Sequence, residues 1–182
     1  MKPFYLILTL LLALNVEAKL MKTETATLAG GCFWGVEEIL RSIKGVTKTT
    51  VGYTGGETKD PTYGIVKLGT SNHAESVEIE FDPSIIKYAD VLGYFFRLHD
   101  PTTVNQQGND KGTQYRSVIF YHSPEQKRIA EETIERVNAS KKWPKPIVTQ
   151  ILPATKFYPA EEYHQDYLQK NPSGYTCHWL RN

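Results

Sequence analysis

Thr23-Glu24-Thr25-Ala26-Thr27-Leu28-Ala29-Gly30-Gly31-Cys32-Phe33-Trp34-Gly35-Val36-Glu37-Glu38-Ile39-Leu40-Arg41-Ser42-Ile43 changes its period halfway along. Thr23 to Leu28 alternates like a strand, whereas Val36, Ile39, Leu40 and Ile43 form one helical stripe. The join is a glycine-flanked cysteine. Glycine lets the backbone turn tightly and leaves the sulfur uncovered. A helix beginning near Cys32 would turn its free N–H groups and dipole towards the sulfur and favour a thiolate. Phe33 and Trp34 would then form an apolar wall beside it. The competing reading is a small buried hydrophobe at a strand-to-helix turn.

Outward from this segment, Lys44-Gly45 ends the helix and Val46 to Tyr53 reads as a strand. Residues 54–72 form a loop long enough to suggest function or a covering flap. Ala74 to Phe81 alternates again, with Val77, Ile79 and Phe81 on one face and Ser76, Glu78 and Glu80 on the other. Asp82-Pro83-Ser84 predicts a turn into a helix from Ile85 to Leu98, with Ser84 as its cap. His99 to Gly112 reads as a polar loop and Gln114 to Tyr121 as a strand. Ser123-Pro124 starts a helix that runs to about Asn138. Lys145 to Leu152 reads as a last strand and Pro159 to Leu168 as a short helix, followed by a tail. Interleaved elements with hairpin-like joins predict an α+β fold with a mixed or antiparallel sheet, rather than a doubly wound parallel one.

A length of 182 residues suits one domain, and the net charge of +1 offers no field for nucleic acid. The first 18 residues differ from the rest. Lys2 precedes an apolar run from Phe4 to Leu14, and Val16-Glu17-Ala18 offers a cleavage pattern. That run is shorter than the ~20 residues of a membrane span. The expectation is a cleaved signal at 1–18, a domain at 19–182, export to the periplasm or beyond, and no stable membrane insertion.

Two cysteines in an exported chain admit a structural disulfide, which across residues 32 and 177 could contribute roughly 4–5 kcal/mol in the loop-entropy model. A domain of this length needs no such staple. Cys177 also lies near the chain end, where mobility is expected, and this suits redox exchange. His73, His99, His122, His164 and His178 show no paired ligand spacing, and no C-x-x-C occurs, so a metal site is poorly supported. His178 could lower the pKa of the adjacent Cys177 or lie on the surface. Glu75 shares strand parity with Val77, Ile79 and Phe81. It is either an inward carboxyl kept neutral by its surroundings, a ready general acid, or a strand-end group that reaches water.

Seven segments resemble the A-type peptide-methionine (S)-S-oxide reductases: GCFWGVE at 31–37, GYTGG at 52–56, PTY at 61–63, HAESVEIEFDP at 73–83, HDPTT at 99–103, QGNDKGTQYRS at 107–117 and NPSGYTCH at 171–178. They cover essentially everything after residue 24. The resemblance implies a ferredoxin-like α/β sandwich with a mixed sheet and a long coil tail. It implies Cys32 as nucleophile, Glu75 as proton donor to the sulfoxide oxygen, and Tyr63 and Tyr115 as phenols bonded to that oxygen. Phe33 and Trp34 would hold the S-methyl group, Asp110 would shape the site, and Cys177 would be the resolving cysteine. Oxidised proteins and free methionine sulfoxide would be substrates of a monomer that needs no cofactor or metal, only a thioredoxin-like reductant. Asn72 departs from the glycine frequent in the family, and Cys177 lies one residue later than in many members. A disulfide-stapled binding module and a thiol peroxidase are the other readings. Glu75 argues against the first, and the Phe33–Trp34 wall against the second.

Overall fold

The structure, a computed structural model, describes residues 23–182, so the expected signal at 1–18 lies outside the described residues. A six-stranded sheet has the order β7-β6-β1-β3-β2-β8. Its strands are β1 (Glu24–Gly30), β2 (Val46–Thr54), β3 (Ala74–Phe81), β6 (Ser117–Tyr121), β7 (Gln150–Pro153) and β8 (Tyr158–Pro159). Two-residue strands β4 (Gln106–Gln107) and β5 (Asp110–Lys111) pair separately. Every pair in the main sheet is antiparallel except β6–β7, so the sheet is mixed, as expected.

Helices α1 (Phe33–Arg41), α3 (Tyr88–Leu98) and α4 (Pro124–Ala139) cover one face; α2 (Tyr63–Val66) and α5 (Tyr167–Lys170) are single turns. The core lies between that face and the helices. Leu28, Val77, Ile79 and Ile119 from the sheet meet Val36, Leu40, Leu92, Phe95 and Ala130, all fully buried or nearly so. Register makes the choice of face explicit. Leu28 pairs with Val77 and with Ile119, whereas Thr27 pairs with Glu78 and Phe120. On the opposite face Ala29, Ala74, Val118 and Phe120 form a second, smaller cluster.

Several element boundaries differ from the expectations. α3 begins at Tyr88, and Ser84 does not cap it. The Ser84 amide and hydroxyl instead donate to Asp82 Oδ1 at 2.8 and 2.6 Å, which closes a local turn. The Asp90 carboxylate accepts from the Lys87 amide at 3.3 Å and marks the true start. Ser123 does cap α4, accepting from the Gln126 amide at 3.1 Å. The strand expected from Gln114 begins only at Ser117, after a 3-10 turn at Thr113–Tyr115. The strand expected from Lys145 shrinks to β7, and β8 pairs with β2 where the helix from Pro159 was expected.

The tail after Lys170 forms no helix or strand, yet it is pinned rather than loose. The Arg181 amide donates to the Arg97 carbonyl at 3.0 Å, and Arg97 Nε returns a bond to the Arg181 carbonyl at 2.6 Å. The Arg181 guanidinium lies over the rings of Trp143 and Trp179, 5.4 and 4.1 Å from their centroids.

Candidate active site

Cys32 is the residue at which β1 becomes α1. Gly31 makes the turn with φ +102°, a conformation that favours glycine. The sequence thus folds locally as its change of period predicts, and Cys32 takes the N-cap position of α1. Glu75 enters from the neighbouring strand. It pairs with Tyr53 across β2–β3 and faces the helices, as its parity with Val77 implies. It is 2% exposed, so the water-reaching alternative does not hold. Its Oε2 accepts from the Phe33 amide, one of the free N–H groups at the start of α1, at 3.2 Å.

Cys32, Phe33, Trp34, Tyr63, Glu75, Asp110, Tyr115 and Tyr175 line one cavity of about 100 Å³. Seven of these come from the eight residues expected in the site; Tyr175 is added and Cys177 is left just outside. Tyr63 opens α2 and Tyr115 closes the 3-10 turn. Cys177 Sγ lies 3.3 Å from Asp110 Oδ2 and 3.7 Å from the Gln107 carbonyl, and both cysteines are free thiols. The Tyr175 hydroxyl donates to the same Asp110 oxygen at 3.2 Å.

Glu75, the two phenols and the Cys32 thiol are held in their neutral forms. Burial pushes Glu75 up to about 8, outweighing the Phe33 amide that favours its ionised form. At pH 7 this carboxyl carries its proton. Burial, followed by Glu75 once it ionises, holds the Tyr63 and Tyr115 phenols above their ordinary range, so both remain donors. Burial, then Glu75, also pushes the Cys32 thiol far up, although the Trp34 backbone amide favours the anion. The thiolate expected at this turn is therefore not the resting form. The cover that desolvates Cys32 arrives from distant segments. A Cβ on Gly31 would lie 2.6 Å from Gln107, and one on Gly35 would lie 2.4 Å from Thr176 Oγ1. Loop 100–112 and the tail close over the glycines that were expected to leave the sulfur open.

A supporting layer escaped the sequence reading. Trp34 stacks on Tyr167 at 3.7 Å between centroids and 11° between planes, and its Nε1–H donates to His164 Nδ1 at 3.1 Å. Glu161 accepts from the Tyr53 hydroxyl and from the Tyr63 amide, each at 2.9 Å. Both residues lie about 100 or more positions from their partners, so no local pattern marks them. Among the described residues no group of three or more His, Cys, Asp or Glu side chains is arranged to hold a metal.

A buried thiol, a neutral carboxyl and two phenols gather around one small cavity with Phe33 and Trp34 in its wall, an arrangement suited to a thiol-dependent reductase of a polar oxygen on a small apolar group. Residues 24–182 match the family described as PMSR, peptide methionine sulfoxide reductase. The chain is 54% identical to peptide methionine sulfoxide reductase MsrA 1 of Mesorhizobium japonicum over 159 residues, covering 87% of this chain and 90% of that protein. The crystal structure of Mxr1 from Saccharomyces cerevisiae in reduced form superposes with a TM-score of 0.84 at 43% identity, covering 88% of this chain and 93% of that one. Mxr1 has also been solved in complex with Trx2; that chain matches at 29% identity and a TM-score of 0.62, covering 92% of this chain and 96% of that one. The chain belongs to the peptide methionine sulfoxide reductase family. Its activity is the thiol-dependent reduction of peptide-methionine (S)-S-oxide.

Proposed function

We propose that the residues of this cavity divide the reaction as follows. The sulfoxide sulfur is a poor electrophile until its oxygen is protonated. Glu75 donates a proton to that oxygen while Tyr63 and Tyr115 hydrogen-bond to it, and Phe33 and Trp34 hold the S-methyl group. Cys32 Sγ takes the oxygen, methionine is released, and Cys32 becomes a sulfenic acid. The proton count is conserved: Glu75 gives its proton to oxygen and receives the one lost by the Cys32 thiol. This relay lets a neutral thiol react without a standing thiolate. The Cys177 thiol then condenses with the sulfenic acid, giving a disulfide and water, and a dithiol donor of the thioredoxin type reduces that bond. The Mxr1–Trx2 complex supports such a donor here. Oxidised proteins and free methionine sulfoxide are the substrates, and no cofactor or metal takes part.

The observation that carries this reading is the carboxyl of Glu75, enclosed in the cavity that Cys32 also lines and held there by the Phe33 amide. The test is mass spectrometry of reduced protein mixed with each epimer of a methionine sulfoxide peptide. One methionine and one intramolecular disulfide should form per chain from the S epimer. Consumption of the R epimer, or no disulfide, contradicts the assignment. The Lys2, Phe4–Leu14 and Val16-Glu17-Ala18 pattern supports export and a mature chain that begins after Ala18. N-terminal sequencing of the native protein checks it, and an intact Met1 rules it out.

A further inference from the structure

The reaction sequence leaves one buried titratable group beside a reacting sulfur without a task. His178 follows Cys177 and is only 7% exposed, which removes the reading of it as a surface histidine. Its Nε2 lies 2.8 Å from the Gly30 carbonyl oxygen. A carbonyl only accepts, so Nε2 carries the ring proton. In the neutral ring the other nitrogen then holds a bare lone pair, and Nδ1 lies 3.6 Å from Cys177 Sγ. The ring also packs closely on the glycines beside Cys32. Cβ atoms placed on Gly31 and Gly35 would lie 3.0 Å from Nε2 and 2.5 Å from Nδ1, so the imidazole rests directly on the α1 turn that holds Cys32.

We propose that His178 Nδ1 is the proton acceptor for the Cys177 thiol as it attacks the Cys32 sulfenic acid. The proposal rests on the reading of Cys177 as the resolving cysteine. In the step, the Cys177 S–H bond breaks and its proton goes to Nδ1. The freed electron pair forms the bond to Cys32 Sγ while the S–O bond of the sulfenic acid breaks. The departing hydroxide takes the Glu75 proton and leaves as water. The imidazolium returns its proton to Glu75 through solvent. Cys177 is oxidised, Cys32 is reduced from sulfenic acid to disulfide, and no outside reagent enters.

Asp110 touches the same sulfur, and its charge distinguishes the two acceptors. Burial, then the Asp110 carboxylate, push the Cys177 thiol up to about 12, so Asp110 opposes the anion that attack requires. An imidazole is ordinarily a stronger base than a carboxylate, so the ring is the better acceptor although Asp110 lies nearer the sulfur, at 3.3 against 3.6 Å. The charged and titratable groups facing His178 and Cys177 are Asp110, Arg181, His99, Tyr175 and Cys32. Burial lowers the His178 pKa; the Gly30 carbonyl and Asp110 partly offset this, and Arg181 adds to it. The ring is therefore neutral, and able to accept, at pH 7.

The test is His178→Gln. A glutamine amide can still donate to the Gly30 carbonyl, but it has nothing in place of Nδ1. Reduced protein is mixed with one equivalent of free methionine (S)-sulfoxide and quenched by alkylation, and methionine, sulfenic acid and disulfide are followed by mass spectrometry. Disulfide formation should slow by ~10²-fold or more relative to methionine release. Its rate should climb tenfold per pH unit, and added imidazole should restore part of it. Disulfide formation at the unaltered rate overturns the proposal. Slowing with an unchanged pH profile and no rescue by imidazole also overturns it, since His178 would then be a tail anchor only. In the unaltered protein the disulfide step should fall with acidification only at a pH below the ordinary imidazole value of 6.5, because burial lowers the His178 pKa. An unaltered protein that forms no Cys32–Cys177 bond would instead break the underlying assignment of Cys177.

Discussion

The two cysteines of this protein are held in opposite ways. Cys32 stands where the central strand β1 runs into α1, so two regular elements and the main core fix it. Cys177 stands on a stretch with no helix or strand, fixed by single contacts: Asp110 at its sulfur, His178 on Gly30, and Arg181 on Arg97. The contrast separates two tasks. Attack on a sulfoxide needs donors and a nucleophile preorganised within a fraction of an ångström. Resolution needs a thiol that can be held, released and offered to a partner, and a strap closed by a few bonds, each of about 1 kcal/mol net, can do that.

The comparison breaks most sharply at the sulfurs themselves. Cys32→Ser should abolish methionine formation outright, whereas Cys177→Ser should release one methionine per chain and then stall with a dithiol protein donor. Quenched-flow chromatography of methionine distinguishes the two, and sustained thioredoxin-supported turnover by Cys177→Ser would erase the division.

Glu75→Gln belongs to the rigid side and should slow the first turnover by ~10²–10⁴-fold. The unaltered enzyme should hold its first-turnover rate up to pH of about 8 and lose it above, as the acid ionises; the glutamine variant should lack that falling limb. The same residue should lower stability. Its folded pKa is raised from 4.5 to about 8, so the unfolded chain releases this proton first, and folding loses free energy as pH rises between those values. At pH 8 the cost is on the order of 5 kcal/mol. Glu75→Gln should therefore raise the melting temperature at pH 8 and much less at pH 4, as calorimetry can check. Equal gains at both pH values would contradict a neutral, buried carboxyl.

On the strap, Gly35→Ala should displace Thr176 and His178, because the new Cβ would lie 2.9 Å from His178 Cβ, which no side-chain rotation can relieve. Disulfide formation should slow by roughly tenfold, about 1.4 kcal/mol of lost positioning, with methionine release less affected. Single-turnover mass spectrometry reads both steps. Smallest of all, Arg181→Ala removes the guanidinium from between Trp143 and Trp179 and should slow the disulfide step about threefold, from cation–π contacts worth ~0.5–1 kcal/mol.

The same contrast explains what could be read from the sequence. The elements around Cys32 were legible because β1, α1 and β3 carry their burial in local periodicity, and Ser123-Pro124 announces α4 within four residues. Glu75 was placed on its face by parity, but its enclosure needed the helices above it. Strand β7 is shorter than the run from Lys145 suggests, and β8 carries no strand pattern of its own, because pairing with β6 and β2 defines them. The Asp82–Ser84 turn imitated a helix cap with the right residue types three positions too early. The neutral state of the Cys32 thiol is not legible locally, because its cover comes from Gln107, Thr176 and His178. His164 and Glu161 carry no motif of their own and gain meaning only from the side chains they touch, whereas Tyr175 lies in the quoted segment 171–178 and its place in the cavity needed the fold.

Trp34 lines the cavity, while Trp143 and Trp179 flank Arg181 at the end of the strap, and these are the chain's 3 tryptophans. One fluorophore thus borders the pocket and the other two border the terminus. Emission from single-tryptophan versions would time the two halves of the catalytic cycle separately, with no label attached.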